Sequence, residues 1–228
     1  MLLNVLLQAA AAVEVTEQQQ VAELSLFDMA LKGGVIMIPL LILCLMAVYI
    51  FFERLVVIKH ASQKDPLFMD KIKDYIHDGK IDAAQELCQK TDTPYSRMIA
   101  KGISRLGRPM NDVQVAIENV GNLEISKLER GLSLLATIAG GGPMIGFLGT
   151  VIGMIEAFFN MANAGSNIDV TILAGGIYTA MVTTVAGLVV GVIAYFAYNY
   201  LISRVDKVVG DMESRSLEFM DILNEPAN

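Results

Sequence analysis

The chain has 228 residues, of which 54 % are hydrophobic and only 18 % charged, and its mean hydropathy is +0.52. Soluble domains intersperse apolar residues with surface charge, whereas here they fall in long uncharged blocks, so the chain reads as an all-α integral membrane protein. A net charge of −7 with a pI near 4.8 argues against nucleic acid, which would call for a basic patch, and no nucleic-acid partner is expected.

Residues 1–32 come first, as an acidic stretch with Glu14, Glu17, Glu23 and Asp28. The opening run MLLNVLLQAAAAV has the apolar core of a signal peptide but no basic region before it, and is read as retained. Leu24, Phe27 and Leu31 share one helical face, which predicts a helix lying in the membrane interface beside the first span. Residues 33–52 (GGVIMIPLLILCLMAVYIFF) are free of charge, and at about 1.5 Å per residue such a run matches a hydrocarbon core of about 30 Å. Pro39 lies near the start of this span, where a missing amide costs least, and Glu53 and Arg54 close it with charges expected to reach the headgroups.

The segment 53–131 predicts amphipathic helices over 70–88 and 113–132, the latter carrying Ile117, Val120, Leu128 and Leu132 on one face. Asp92-Thr93-Pro94 and Gly107-Arg108-Pro109 are the expected breaks. The segment shows no Ser/His/Asp set, no glycine-rich phosphate loop and no metal-ligand spacing, so an enzyme is not expected. Cys44 and Cys88 fall in different compartments and read as free thiols, while His60 and His77 read as exposed polar residues. No metal and no cofactor are expected.

Residues 132–159 form the second predicted span, 160–169 a turn rich in Asn, Gly and Ser, and 170–202 the third span, with Asp169 as its N-cap. Spans two and three are then an antiparallel hairpin. Beyond them, in 203–228, Leu201, Val205, Val208 and Met212 recur at helical steps, so the third helix should continue out of the membrane with one apolar face that needs a partner. Of the seventeen Lys and Arg residues, thirteen lie in 53–131, three follow the third span and only Lys32 lies elsewhere. The positive-inside rule therefore sets 53–131 and 203–228 in the cytoplasm and the N-terminus and the 160–169 turn outside, an N-out, C-in topology.

The chemistry is concentrated in the last two spans. Gly142, Gly146, Gly149, Gly153 and Ala157 recur every three or four residues with Thr150 beside them, and Gly176, Ala180, Thr184, Gly187, Gly191 and Ala194 repeat the device with Thr179 and Thr183 adjoining. Helices in lipid gain nothing by hiding apolar surface, so small residues that admit close backbone approach mark their interfaces. The threonines could simply bond back to carbonyls one turn earlier, or their hydroxyls could line a polar strip in a pore or subunit interface. Periodicity leaves both readings open. Glu156 is the one acid within reach of these spans, and its place near the turn favours a solvated interfacial carboxylate over a proton-entry group.

The runs LLATIAGGGPMIGFLGTVIGMIEAF (134–158) and GGIYTAMVTTVAGLVVGVIAYFAYN (175–199), with the first span and its Glu-Arg exit, resemble the MotA/TolQ/ExbB proton-channel family, and the ExbB branch most. The resemblance covers roughly 24–205. It implies a homopentamer in the bacterial inner membrane, its second and third spans lining a pore around a single-span ExbD/TolR-like partner that carries a membrane aspartate, with force passed on to a TonB-like protein. On the family motif, Thr150 and Thr184 match pore-facing threonines, Pro143 matches the proline opening the second span's motif, and Thr183 and Thr137 are weaker candidates. Thr179 stands where ExbB proteins similar to this chain carry a glutamate, so the proton carrier would have to come from the partner. The alternatives to ExbB-like service are a TolQ-like one, in cell-envelope maintenance, and that of a non-conducting scaffold. A solute transporter is disfavoured by the lack of an internal repeat.

Overall fold

The computed structural model describes residues 33–63, 65–163 and 170–224, and every regular element among them is a helix. The interfacial helix expected over 24–31 and the Asp169 cap lie outside the described residues, as does most of the 160–169 turn.

Gly34, at φ +69°, turns the chain into α1 (Met37–Ala61). This helix does not stop at Phe52 but runs on to Ala61, because nothing after Glu53-Arg54 breaks it. Leu40, Ala47, Ile50 and Ile58 are buried, whereas Leu41, Leu45, Tyr49, Phe52 and Val56 form an exposed apolar face suited to lipid. Arg54 departs from expectation. It is turned inward and 9 % exposed, paired with Glu53, and donates from Nη1 to the Lys127 carbonyl at 3.1 Å. That carbonyl is in the last turn of α5 (Met110–Glu129), where carbonyls have no partner within the helix, so the guanidinium caps α5 and opposes its negative end.

The helix expected over 70–88 is two helices, α2 (Phe68–His77) and α3 (Ile81–Thr91), hinged at Gly79, whose φ of +71° a residue with a side chain would not readily adopt. Asp92, also left-handed, ends α3, and α4 (Pro94–Ile103) begins at once. Thr93 caps it: the Ser96 amide donates to Thr93 Oγ1 and the Thr93 amide to Ser96 Oγ, with Pro94 in the first turn. The Asp92-Thr93-Pro94 break is thus a helix junction. Gly131, at φ +83°, separates α5 from α6 (Leu132–Asn163), and α7 (Val170–Asn224) is one helix of 55 residues. At about 1.5 Å per residue α7 is about 80 Å long and projects far beyond a bilayer.

The projecting part of α7 finds its partner within the same chain. Leu201, Val205, Val208, Met212 and Phe219 are buried among α2, α4 and α5 residues that include Phe68, Ile72, Ile99, Ile103 and Ile117. Gly102 makes room for Phe219, whose ring would lie 2.6 Å from any Cβ there. Burying each of these large side chains is worth about 1.5–3 kcal/mol. One ionic cluster joins α4 to α5: Glu124, 4 % exposed, accepts from Arg97 at 2.7 Å and from Lys127 at 2.6 Å, and Arg97 also pairs with Asp92. Burial pushes the Glu124 carboxyl up, and the hydrogen bonds and charges of Arg97 and Lys127 more than offset it, leaving the group below the ordinary carboxylate range.

Candidate functional site: the seam between α6 and α7

The small-residue stripes of α6 and α7 face each other. A Cβ placed on Gly187 would lie 2.6 Å from the Gly142 carbonyl oxygen and 2.7 Å from Gly146 Cα, and one on Gly146 would lie 2.9 Å from the Thr183 carbonyl. Farther along, Gly149 sits against the Thr183 side chain, Gly153 against Ala180 and Gly176 against Ala157. The two backbones therefore touch over several turns, an approach that even an alanine Cβ at Gly146 or Gly187 would obstruct. Pro143 is part of the same contact. Proline offers no amide to the carbonyl of Ala139, one turn earlier, and the bare backbone of Gly191 packs there: a Cβ on Gly191 would meet the Pro143 ring at 2.6 Å and the Ala139 oxygen at 3.0 Å. The Gly191 backbone thus lies against both the proline ring and the carbonyl that the proline leaves bare.

The five threonines separate into distinct surroundings. Thr183 is 2 % exposed, and its hydroxyl donates to the Ala180 carbonyl at 2.7 Å with the Gly146 carbonyl at 3.4 Å, so it is enclosed in the hairpin. Thr137 is exposed and bonds back to Ser133, about 20 Å along α6 from Thr150. Thr179 is half-buried, and five residues before Thr184 on a helix it lies about 140° around the axis from it. Glu156 is exposed near the far end of α6.

Thr150 and Thr184 alone come together. Both are half-buried at one edge of the seam, and their hydroxyl oxygens are 3.3 Å apart. Thr184 also reaches the Gly146 carbonyl at 3.1 Å across the seam, and Thr150 reaches the Phe147 carbonyl at 2.6 Å on its own helix. Two hydroxyl protons are thus available for three oxygen-to-oxygen contacts. One contact is always without a proton, and either hydroxyl can turn to donate elsewhere while its lone pairs accept. The spans hold no Asp, Glu or His near their middle, so the polar side chains at that depth are hydroxyls: Thr183, enclosed, and this pair, half-buried at the edge.

A model of the MotA/TolQ/ExbB proton channel family matches residues 90–214, more than half of the chain, taking in α4, α5, α6 and most of α7. The chain belongs to the MotA/TolQ/ExbB proton channel family. A biopolymer transport protein of Synechocystis sp., ExbB-like 1, is 33 % identical over 187 residues, covering 78 % of this chain and 71 % of that protein. An ExbB homolog of Methanothermobacter thermautotrophicus is 35 % identical over 135 residues, 59 % of this chain but only 47 % of the relative's length. The Tol-Pal system protein TolQ of Haemophilus influenzae is 37 % identical over 106 residues, 46 % of each chain. As a MotA/TolQ/ExbB protein, the chain is a multi-pass protein of the cytoplasmic membrane, with three helices among the described residues long and apolar enough to cross it, in a family of channel subunits rather than enzymes.

Sequence reasoning did not anticipate α4 or the Arg97–Glu124–Lys127 cluster. The T-P-Y-S run at 93–96 was the available signal for α4, since Thr before Pro with Ser three residues on is a capping pattern. The ionic cluster joins residues 27 apart, a separation at which local patterns carry no information.

Proposed function

We propose that this chain is the pore-forming subunit of an inner-membrane proton-driven motor that resembles ExbB. Five copies would surround the transmembrane helices of a single-span ExbD/TolR-like partner, and the partner would pass force to a TonB-like protein and so to outer-membrane transport. The observation that carries this reading is the Thr150–Thr184 hydroxyl pair, with its 3.3 Å separation and its unequal count of protons and contacts, in spans without a mid-membrane acid.

A wall of this kind can solvate a proton carrier but not serve as one, so the titrating group must be an aspartate on the partner. When that aspartate is ionised, a turned threonine hydroxyl donates to it; when it is protonated, the threonine oxygen accepts. Moving one charge through 100 mV supplies about 2.3 kcal/mol, which is the energy each proton makes available to shift the partner between the two states. Homo-oligomer formation is supported by the small residues that the hairpin leaves unused: Gly140, Gly141 and Gly175 have nothing within 4 Å of a Cβ position in the chain itself. Glu156 is kept as a secondary candidate for proton entry.

The relation to TolQ of Haemophilus influenzae, as high in identity as those to the ExbB relatives, supports a TolQ-like service as a second reading. Co-purification with a single-span, aspartate-bearing protein and native mass spectrometry test the core of the proposal. A pentamer holding that protein is expected; a monomer or dimer that does not bind it contradicts the proposal.

A further inference from the structure

Where α1 and α7 leave the membrane beside the collar, the group of short helices α2–α5 that covers the projecting part of α7, a cavity of about 430 Å³ opens between them. Its walls carry Lys59, Arg204 and Lys207 with no acid among the lining residues, and its floor is Leu55, Ile58 and Leu201. Three cations without an acid in one cavity are unexpected in a chain of net charge −7. Lys59 and Lys207 form no ion pair among the described residues. Arg204 is held by Tyr200, whose hydroxyl accepts from Nε at 3.2 Å and Nη2 at 2.9 Å, with the guanidinium 5.2 Å from the ring centre, while Nη1 has no partner among the described residues.

Tyr200 also lines a second cavity of about 450 Å³, directly on the membrane side of the first. That one runs between the same two helices and is walled by Val48, Phe51, Phe52, Val192 and Phe196, with no charged residue. A cationic cavity at the membrane surface thus shares Tyr200 with an apolar groove between the same two helices. A lipid has this shape and polarity. Free phosphate would match the first cavity only, and an acyl chain the second only.

The geometry points to a bound anionic glycerophospholipid of the phosphatidylglycerol class, its phosphate among Lys59, Arg204 and Lys207 and an acyl chain along the Val48–Val192 groove. Arginine with lysines suits a phosphodiester, since the guanidinium presents paired donors and the ammonium groups add charge, and basic pockets between membrane helices bind anionic headgroups. Phe51 and Tyr200, with ring centres 6.3 Å apart, join α1 to α7 beside this groove, so an occupant would brace the first span against the long helix. The lipid site is separate from the hydroxyl pair, and neither depends on the other.

The test uses the full chain in its purified assembly, exchanged into micelles doped with phosphatidylglycerol or phosphatidylethanolamine, with retained lipid counted by native mass spectrometry. Phosphatidylglycerol is expected to be retained at least about tenfold over phosphatidylethanolamine, three basic contacts being involved. Lys59→Gln, Arg204→Gln and Lys207→Gln combined should bring it down to the phosphatidylethanolamine level, while Lys90→Gln, Lys101→Gln and Arg108→Gln combined, the same loss of three charges at exposed positions elsewhere, should not. Val192→Trp, at an exposed groove position, should lower retention of either lipid without touching the charges. Equal retention of the two lipids, undiminished retention in the triple variant, or full displacement by millimolar inorganic phosphate would overturn the assignment.

Discussion

Thr184 donates across the seam to the Gly146 carbonyl at 3.1 Å while its oxygen stays 3.3 Å from that of Thr150. Thr183, its neighbour in sequence, spends its hydroxyl on the Ala180 carbonyl and is enclosed by the hairpin. The two positions should therefore respond differently to the same change. Thr183→Val is expected to cost about 0.5–1.5 kcal/mol of stability for the lost bond and to leave gradient-driven activity in place. Thermal unfolding in detergent reads the first effect and uptake driven by the proton gradient the second.

Gly187 and Gly210 make a second contrast within one helix. A Cβ at Gly187 would press on the backbone of α6 at 2.6 and 2.7 Å, and backbone cannot give way as a flexible side chain can. Gly187→Ala should destabilise the hairpin by about 1–3 kcal/mol. Gly210 has nothing within 4 Å, so Gly210→Ala should be neutral or stabilising by up to about 1 kcal/mol, as in an ordinary helix interior. Melting temperatures of the two variants, followed by circular dichroism at 222 nm, decide between this and a generic intolerance of α7 to alanine.

The buried Glu124 carboxylate predicts a pH dependence with a definite sign. Its folded-state pKa is lowered, so the stability it contributes is fully present above the unfolded carboxylate pKa, about 4.3, and is lost as pH falls through the folded value. Glu124→Gln should cost about 1–3 kcal/mol at pH 7, and the gap between wild type and variant should close on acidification below about pH 4. A gap that stays constant across this range would show that the charge is not what holds α4 to α5.

Cys88 offers a probe of the collar. It is 1 % exposed and burial pushes its thiol up to about 12, so almost no thiolate is present at neutral pH. Maleimide labelling at Cys88 is expected only after the collar opens, in step with loss of helical signal; rapid labelling of the folded protein would contradict the packing of α3.

The features of this protein that follow from composition or short-range periodicity were legible in the sequence, and those set by contacts between distant segments were not. Uncharged runs revealed the three long apolar helices, and the steps from Leu201 to Met212 revealed the apolar face of α7, although not that α2, α4 and α5 would cover it. Arg54 looked like a headgroup ligand because a charge at the end of a span ordinarily is one. Only the arrival of the α5 C-terminus, 73 residues later in the chain, makes it a cap. Gly79 divides a helix that hydrophobic spacing alone would run straight through, since its positive φ is a backbone property that periodicity does not register. The threonines were visible as a group, yet their separation into an enclosed Thr183, a remote Thr137 and a paired Thr150–Thr184 depends on the register between α6 and α7.

The central claim, that the Thr150–Thr184 pair forms the polar wall beside the partner's aspartate, is tested most directly by proton flux into liposomes containing the chain together with its single-span partner. Thr150→Val and Thr184→Val keep the side-chain shape and remove only the hydroxyls. The double variant is predicted to assemble with the partner as the wild type does and to lose most of its flux, whereas undiminished flux through an intact complex of that variant would contradict the claim.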